Sequence, residues 1–471
     1  MPLILGTNSI KDTGYDVANS ARFNSASSDN LSKTFSSNGT RTKWTLSMWV
    51  KRSKLGAENS LSGVYIDGNN EDALRFNSDD TLSFIDFRSG GYGSGGRLVT
   101  NRLFRDVSSW YNLIFRWDTG DSTADNRMKI WVNGVEETSF AQRNNPSTNT
   151  ESLFNSTTAW IYGAKGNSSA SFLDGYMAEV VFCDNQKLEP TSFGEFDEDS
   201  GIWKPKDVSG LTFGTNGFYL DFEDSSALGN DAAGSNNFTV NNLTSVDQST
   251  DTCTTNFATG NPIASQAGSA QSNSLLTFSE GNLLMADNSE TGIANFGLSS
   301  GKWFWEVKVI ADQDGLIIGA CNEHFNINAE LGYNSPASAT GAKAFGYYGG
   351  NGTATVSVDD GSGFGSYGSA IAVNNIVSVA LDLDSADQSC TFYLNGSSQG
   401  ALDITNLSSG ESYFPAVGNW SVSDVSTSWN FGSPQYSESG GNSDGNGYGN
   451  FSMAVPSGYY ALNTKNLAEY G

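Results

Sequence analysis

"KIWVNGVEE" (129–137) is a short run of aromatic and β-branched residues, Ile130, Trp131 and Val132, that ends on Asn133-Gly134 and then resumes. Such residues suit a pleated, half-buried strand. Asn-Gly supplies the two left-handed residues that a tight hairpin needs. The same phrase returns as "TFYLNGSSQG" (391–400), with Asn395-Gly396 at the turn. Two antiparallel hairpins of one design, far apart in the chain, predict an all-β molecule built from two antiparallel β-sandwiches.

Working outward, the pattern repeats as "WTLSMWVKR" (44–52), "ALRFN" (73–77), "TLSFIDFR" (81–88), "WYNLIFRWD" (110–118), "AWIYGA" (159–164) and "GYMAEVVFC" (175–183). Each run is short and bounded by Gly, Asn, Asp or Ser, as jelly-roll strands are. "GFYLDF" (217–222) reads as one more strand, returning to the first sandwich. In the second half, "GKWFWEVKVI" (301–310) sets Trp303, Trp305, Val307 and Val309 against Lys302, Phe304, Glu306 and Lys308. One face of that strand requires a second sheet to cover it. Trp44, Trp49, Trp110, Trp131, Trp303 and Trp305 all fall within strands, which assigns them to the core. The one helix signal is "KLEPTSFGEFDEDSG" (187–201), with Thr191 or Ser192 as N-cap. The organisation expected is an arm (1–16), a first sandwich (17–205), a bridge (206–270), a second sandwich (271–432), and a Gly/Asn-rich spacer leading to a docking segment (433–471).

Composition narrows function. The 471 residues carry 25 Lys and Arg against 51 Asp and Glu, a formal charge of −26, with 53 Gly and 9 Pro. With no basic stripe, nucleic acid is not an expected partner. No run of about 18 apolar residues predicts membrane insertion, and "MPLILG" lacks the apolar core of a secretion signal. Cys183, Cys253, Cys321 and Cys390 are widely and unequally spaced and read as buried free thiols. His324 is the one histidine, in a polar context, so a histidine-based triad is not expected.

Three chemistries have candidate residues. Glycoside hydrolysis needs two facing carboxylates, and the nearest string, "GEFDEDSG" (194–201) with Glu195, Asp197, Glu198 and Asp199, reads as an exposed acidic turn. Calcium prefers oxygen ligands at turn spacing. "DGNNED" (67–72) and "DTGDSTADN" (118–126) offer Asp67, Asp72, Asp118 and Asp121, making calcium the one cofactor candidate. Sugars stack on exposed rings. Tyr92 in "RSGGYGSGG" (88–96), Tyr347 and Tyr348 in "FGYYGGNG" (345–352), and Tyr367 in "GSGFGSYGS" (361–369) are the ligand-binding candidates, placed on glycine-rich loop tips.

Three resemblances add to this reading. "SSWYNLIFRWD", "MKIWVNGVEE" and "LDGYMAEVVFCDNQKLEP" resemble the laminin-G and concanavalin A-like jelly rolls over about residues 17–205. "GKWFWEV", "VSVALDLD", "FYLNGSSQG", "FPAV" and "NFG", in that order, resemble the SPRY family. "GYDVANSARFN" (14–24), "FTVNNLTSVDQSTDTCTTNFATGNP" and "GYYALNTKNL" resemble structural proteins of marine-type bacteriophages. This last resemblance implies a virion protein: a fibre, tail or capsid appendage that attaches to host-surface glycan or protein. Its implied partners are other virion proteins and further copies of itself, in a particle assembled in the host cytoplasm and exposed outside the cell. The alternatives are a polysaccharide depolymerase on the first sandwich and a pure assembly or decoration protein.

Overall fold

A computed structural model describes residues 10–167, 169–265, 276–287, 291–311, 315–325, 327, 331, 342–349, 355–358, 363–405, 411–419 and 425–471. The chain divides into two compact units, Thr13–Thr254, and 1–12 together with Thr255–Gly471. What the sequence suggests as a bridge is thus divided, its larger part belonging to the first unit. The strands at Phe218–Leu220, Thr239–Asn241 and Gln248–Ser249 hydrogen-bond into the first unit's sheets, which is why this part cannot stand apart.

The first unit contains, in chain order, β1 (Ser20–Phe23), β2 (Asn30–Lys33), β3 (Lys43–Arg52), β4 (Asn59–Asp67), β5 (Asn70–Phe76), β6 (Thr81–Arg88), β7 (Gly91–Leu103), β8 (Trp110–Asp118), β9 (Met128–Val132), β10 (Val135–Glu136), β11 (Phe140–Asn144), β12 (Trp160–Tyr162), β13 (Gly175–Asp184), β14 (Gly194–Phe196), β15 (Trp203–Pro205), β16 (Phe218–Leu220), β17 (Thr239–Asn241) and β18 (Gln248–Ser249). One sheet runs β10-β9-β8-β3-β13-β1-β18, with β16 also on β13, and the other runs β11-β7-β6-β5-β4-β12-β2-β17. Leu46, Met48 and Val50 of β3 meet Leu74, Phe76, Phe84 and Leu98 of the second sheet in one buried cluster. Trp44 stacks on Trp117, and Trp160 packs edge-on against Phe182 and Phe218. Each such side chain contributes about 1.5–3 kcal/mol by leaving water.

Two differences from the sequence reading concern this unit. The helix expected over 187–201 is a single 3-10 turn at Pro190–Ser192 with Glu189, not Thr191 or Ser192, at its N-cap. Phe193 is drawn into a buried cluster with Trp131 and Tyr219, and the chain then pairs as the β14–β15 hairpin. The glycine-rich 88–96 stretch is a hairpin rather than a loop tip. Ser89 and Gly90 turn at φ 49° and 77°, and β7 begins at Gly91.

The second unit contains β19 (Thr277–Ser279), β20 (Leu284–Asp287), β21 (Thr291–Ile293), β22 (Lys302–Ala311), β23 (Leu316–Asn322), β24 (Ala344–Tyr348), β25 (Thr355–Val358), β26 (Gly363–Ser366), β27 (Ile376–Asp382), β28 (Ser389–Leu394), β29 (Ser397–Asp403), β30 (Tyr413–Asn419), β31 (Val425–Asn430) and β32 (Tyr460–Ala461). Its sheets run β19-β20-β31-β22-β27-β28-β29 and β21-β30-β23-β24-β25-β26. Trp303, Trp305, Val307 and Val309 fill the core between them, as their alternation requires. The opposite face of β22 is covered too. Phe304 packs with Phe257, Phe451 and Ala461, while β32 pairs in parallel with β22 and a helix, Thr464–Tyr470, follows.

Both Asn-Gly turns form as the sequence requires, Asn133 and Gly134 at φ 47° and 76°, Asn395 and Gly396 at 48° and 80°. All four cysteines are free, with Cys183, Cys321 and Cys390 buried and Cys253 partly so. Burial pushes the Cys183 thiol up to about 12 and those of Cys253, Cys321 and Cys390 well above their ordinary value. No described helix is long and apolar enough to cross a membrane.

Candidate ligand-binding face

The side chains of β5 and β6 alternate strictly. Leu74, Phe76, Leu82 and Phe84 enter the core, so Glu71, Ala73, Arg75, Ser83, Ile85 and Phe87 stand on the sheet's outer face. Register extends that face sideways: Tyr65 of β4 lies opposite Glu71, and Arg97 of β7 opposite Ile85. Ala73, Ile85 and Val99 form an apolar floor, each less than a tenth exposed.

Above this floor stand aromatic and charged groups. Tyr92 packs edge-on against Phe87 at 5.0 Å, and the Arg97 guanidinium lies 4.9 Å from the Tyr92 ring centroid. Lys165 Nζ sits 5.1 Å from the Tyr65 ring and 3.8 Å from Glu71 Oε2, and Arg75 pairs with Glu58 at 3.3 Å. Burial raises the Glu71 carboxyl above its usual range. Glu71 Oε1, Arg75 Nε and Arg97 Nε are buried without a hydrogen-bond partner. Unpaired buried polar atoms cost about 1–3 kcal/mol each, a penalty carried beneath this face. A guanidinium stacked on a ring keeps its donor edge for a planar acceptor such as a carboxylate, while ring faces and edges suit sugar C–H surfaces.

Tyr92 belongs to this face, but on β7 rather than at a loop tip. The other three tyrosines lie in the second unit. Tyr347 is fully buried, donates its hydroxyl to the Ser369 carbonyl, and packs against Tyr367 and Phe392. Tyr367 is partly exposed and donates to the Gly400 carbonyl. Tyr348, also partly exposed, packs beside Ile317 and Phe414. Tyr347 and Tyr348 lie in β24, where strand alternation sends Tyr347 inward; the expected loop tip at 350–352 lies outside the described residues. Tyr65, Glu71, Arg75, Phe87 and Arg97 were missed, although the alternation in "NEDALRF" and "TLSFIDFR" would have placed three of them, Glu71, Arg75 and Phe87, on one face.

The calcium candidates meet other fates. Asp67 is exposed and closes its own turn by accepting from Asn69 N and Asn70 Nδ2, whereas Asp72 points into the sandwich, so the two do not converge. Asp118 and Asp121 do converge, but on the Lys187 ammonium, 2.8 Å from each. Lys187 and the Thr123 amide together hold the Asp121 carboxyl down at about 2. That arrangement does not fit a bound calcium, because a protein cation already fills the cation's position. Among the described residues no group of three or more His, Cys, Asp or Glu is arranged to hold a metal.

Facing acids do occur. Asp72 and Asp86 are opposite one another on β5 and β6, pointing inward. Arg88 pairs with both, and Asp72 Oδ2 also accepts from Ser152 Oγ, Leu153 N and Phe154 N. Burial first, then the charge of Asp72, pushes the Asp86 carboxyl far above the ordinary range. Unequal acids are what hydrolysis uses, yet Asp72 and Asp86 are 1% and 0% exposed, which denies a polysaccharide access. In "GEFDEDSG", Asp197 closes a turn by accepting from Ser200 N and Oγ, and Glu195, Glu198 and Asp199 are exposed.

A model of the concanavalin A-like lectin/glucanases superfamily matches residues 24–190. No curated protein matches the chain. Among solved structures, the SPRY domain of human HERC1 is similar at 13% identity, over 31% of this chain and 87% of that one, with a TM-score of 0.25. A SAP-like pentraxin from Limulus polyphemus is similar at 13% identity over 37% and 80% (TM-score 0.28). Domains LG4-5 of the mouse laminin alpha1 chain are similar at 9% identity over 88% and 90% (TM-score 0.30). By the family match, residues 24–190 of the first unit form a laminin-G/concanavalin A-like domain, within an all-β molecule.

Proposed function

We propose that this chain is a non-enzymatic binding protein of a bacteriophage particle, a fibre, tail or capsid appendage, whose first unit attaches to host-surface glycan through the outer face of β4–β7. The observation that carries the reading is the Arg97–Tyr92–Phe87 stack beside Glu71 and Arg75 on one sheet face. The laminin-G/concanavalin A-like match supports a binding module for carbohydrate or protein. The phage context rests on the sequence resemblance alone. Sealing of Asp72 and Asp86 beneath Arg88 argues against the depolymerase alternative.

The test is binding of the full chain to an array of bacterial surface polysaccharides. Retention of at least one glycan is expected, weakened roughly 10-fold or more by Arg97→Ala or Tyr92→Ala, since hot-spot Tyr and Arg truncations cost about 2 kcal/mol or more. Unchanged binding by both variants would move the site elsewhere. Release of reducing ends from the polysaccharide would instead establish the enzyme reading.

A further inference from the structure

Lys51 has a side chain only 1% exposed, on the outer face of the first unit's β10–β18 sheet. Its strand neighbours in register are Trp110 and Tyr176, and these rings, with Val17, Trp49, Ala178 and Trp203, make a buried aromatic cluster. Into it comes Asp251, from the segment that follows β18. Asp251 Oδ2 lies 2.7 Å from Lys51 Nζ, and its side chain is 3% exposed. Trp110 Nε1 donates to Asp251 Oδ1 at 3.2 Å. The backbone on either side is pinned: Ser20 Oγ donates to the Asp251 carbonyl, and the Val17 amide to Thr254 Oγ1.

Fully buried ion pairs are expensive, because desolvation of two charges can exceed their attraction. This unit's other deeply buried pairs, Arg22–Asp247, Arg52–Asp80 and Arg88–Asp72, all use arginine, whose guanidinium keeps its proton in any protein setting. Lysine differs, since its primary amine can act as a nucleophile toward a carbonyl carbon. Nζ lies 2.7 Å from an oxygen bonded to Cγ, which sets the amine and the carboxyl side by side, the proximity a condensation needs.

We propose that Lys51 and Asp251 condense into an intramolecular isopeptide bond. The ammonium passes a proton to Oδ2, giving an amine beside a carboxylic acid. The nitrogen lone pair attacks Cγ, and the Trp110 N–H stabilises the charge that develops on Oδ1. The Cγ–Oδ2 bond then breaks, and that oxygen leaves as water, carrying the transferred proton and one more from the nitrogen. The product is an amide from Nζ to Cγ. No oxidant, cofactor or second enzyme is required. The amide removes both buried charges and ties the last segment of the unit to β3 across the sequence, a cross-link of the kind that restricts an unfolded chain most when the closed loop is long.

The test is the intact mass of the full chain under denaturing conditions, with peptide mapping. Wild type is expected to be lighter than its sequence by one water and to yield a branched peptide joining the Lys51 and Asp251 segments. Lys51→Arg, which keeps the cation but cannot form the bond, is expected to show its full sequence mass and no branched peptide. A folded wild-type chain at full mass, with the two segments in separate peptides, would overturn the proposal and leave an ion pair.

Discussion

The two sandwiches each bury a glutamate on the outer face of a central strand, and they treat it in opposite ways. Glu306, on β22, is fully provided for. Ser378 Oγ and Asn430 Nδ2 donate from the neighbouring strands, and Ser452 N, Ser452 Oγ and Met453 N donate from the tail. Glu179, at a bulge in β13 with φ 50°, has one oxygen bonded to the Tyr219 hydroxyl at 2.6 Å and the other buried without a hydrogen-bond partner. The difference teaches what each acid does. Glu306 is a clasp, through which the tail is tied to the sheet by charge-assisted hydrogen bonds. Glu179 is a cost carried within the sheet, and its carboxyl is pushed up to about 7 by burial.

The largest expected effect comes from opening the clasp. Glu306→Ala should cost about 4 kcal/mol, because several buried donors lose their acceptor at once, and limited proteolysis should cut the chain near Ser452. Survival of an uncut tail in that variant would break the comparison. Next is the pH dependence of Glu179. An acid whose folded value lies above its unfolded one stabilises most below the unfolded value, about 4.5, and the benefit is lost as pH rises to about 7. Urea midpoints should show a loss of about 3 kcal/mol across that window, and Glu179→Gln should remove this part of the slope. Smallest is the contrast between the two Asn-Gly turns. A Cβ on Gly134 would meet the Trp203 ring at 2.3 Å, while at Gly396 the nearest atom is Met453 Cβ at 3.8 Å. Gly134→Ala should therefore cost about 2–3 kcal/mol and Gly396→Ala about 1, the latter from positive φ alone.

Strand periodicity made the sandwiches readable, because Trp303 to Val309 and Leu46 to Val50 announce their own buried faces. The glycines of 88–96 hid β7, since a glycine-rich strand carries no alternation to read. The candidate face was half legible: "NEDALRF" puts Glu71 and Arg75 on one side, but only register brings Arg97 and Tyr92 to them. Asp118 and Asp121 look like cation ligands until Lys187, distant in sequence, arrives between them. Lys51 and Asp251 were invisible for the same reason, their partnership being set by the path of the segment after β18. Local patterns fix turns and faces, whereas charge partners are decided by topology.

The four thiols carry one last consequence. A sulfur reacts with oxidants as its thiolate, and burial holds each of these in the protonated form, with no partner sulfur to pair with. Moving such a molecule from reducing to oxidising surroundings would leave its sulfur chemistry as it was made, so its folded shape would need no redox maturation and would keep no record of where it had been.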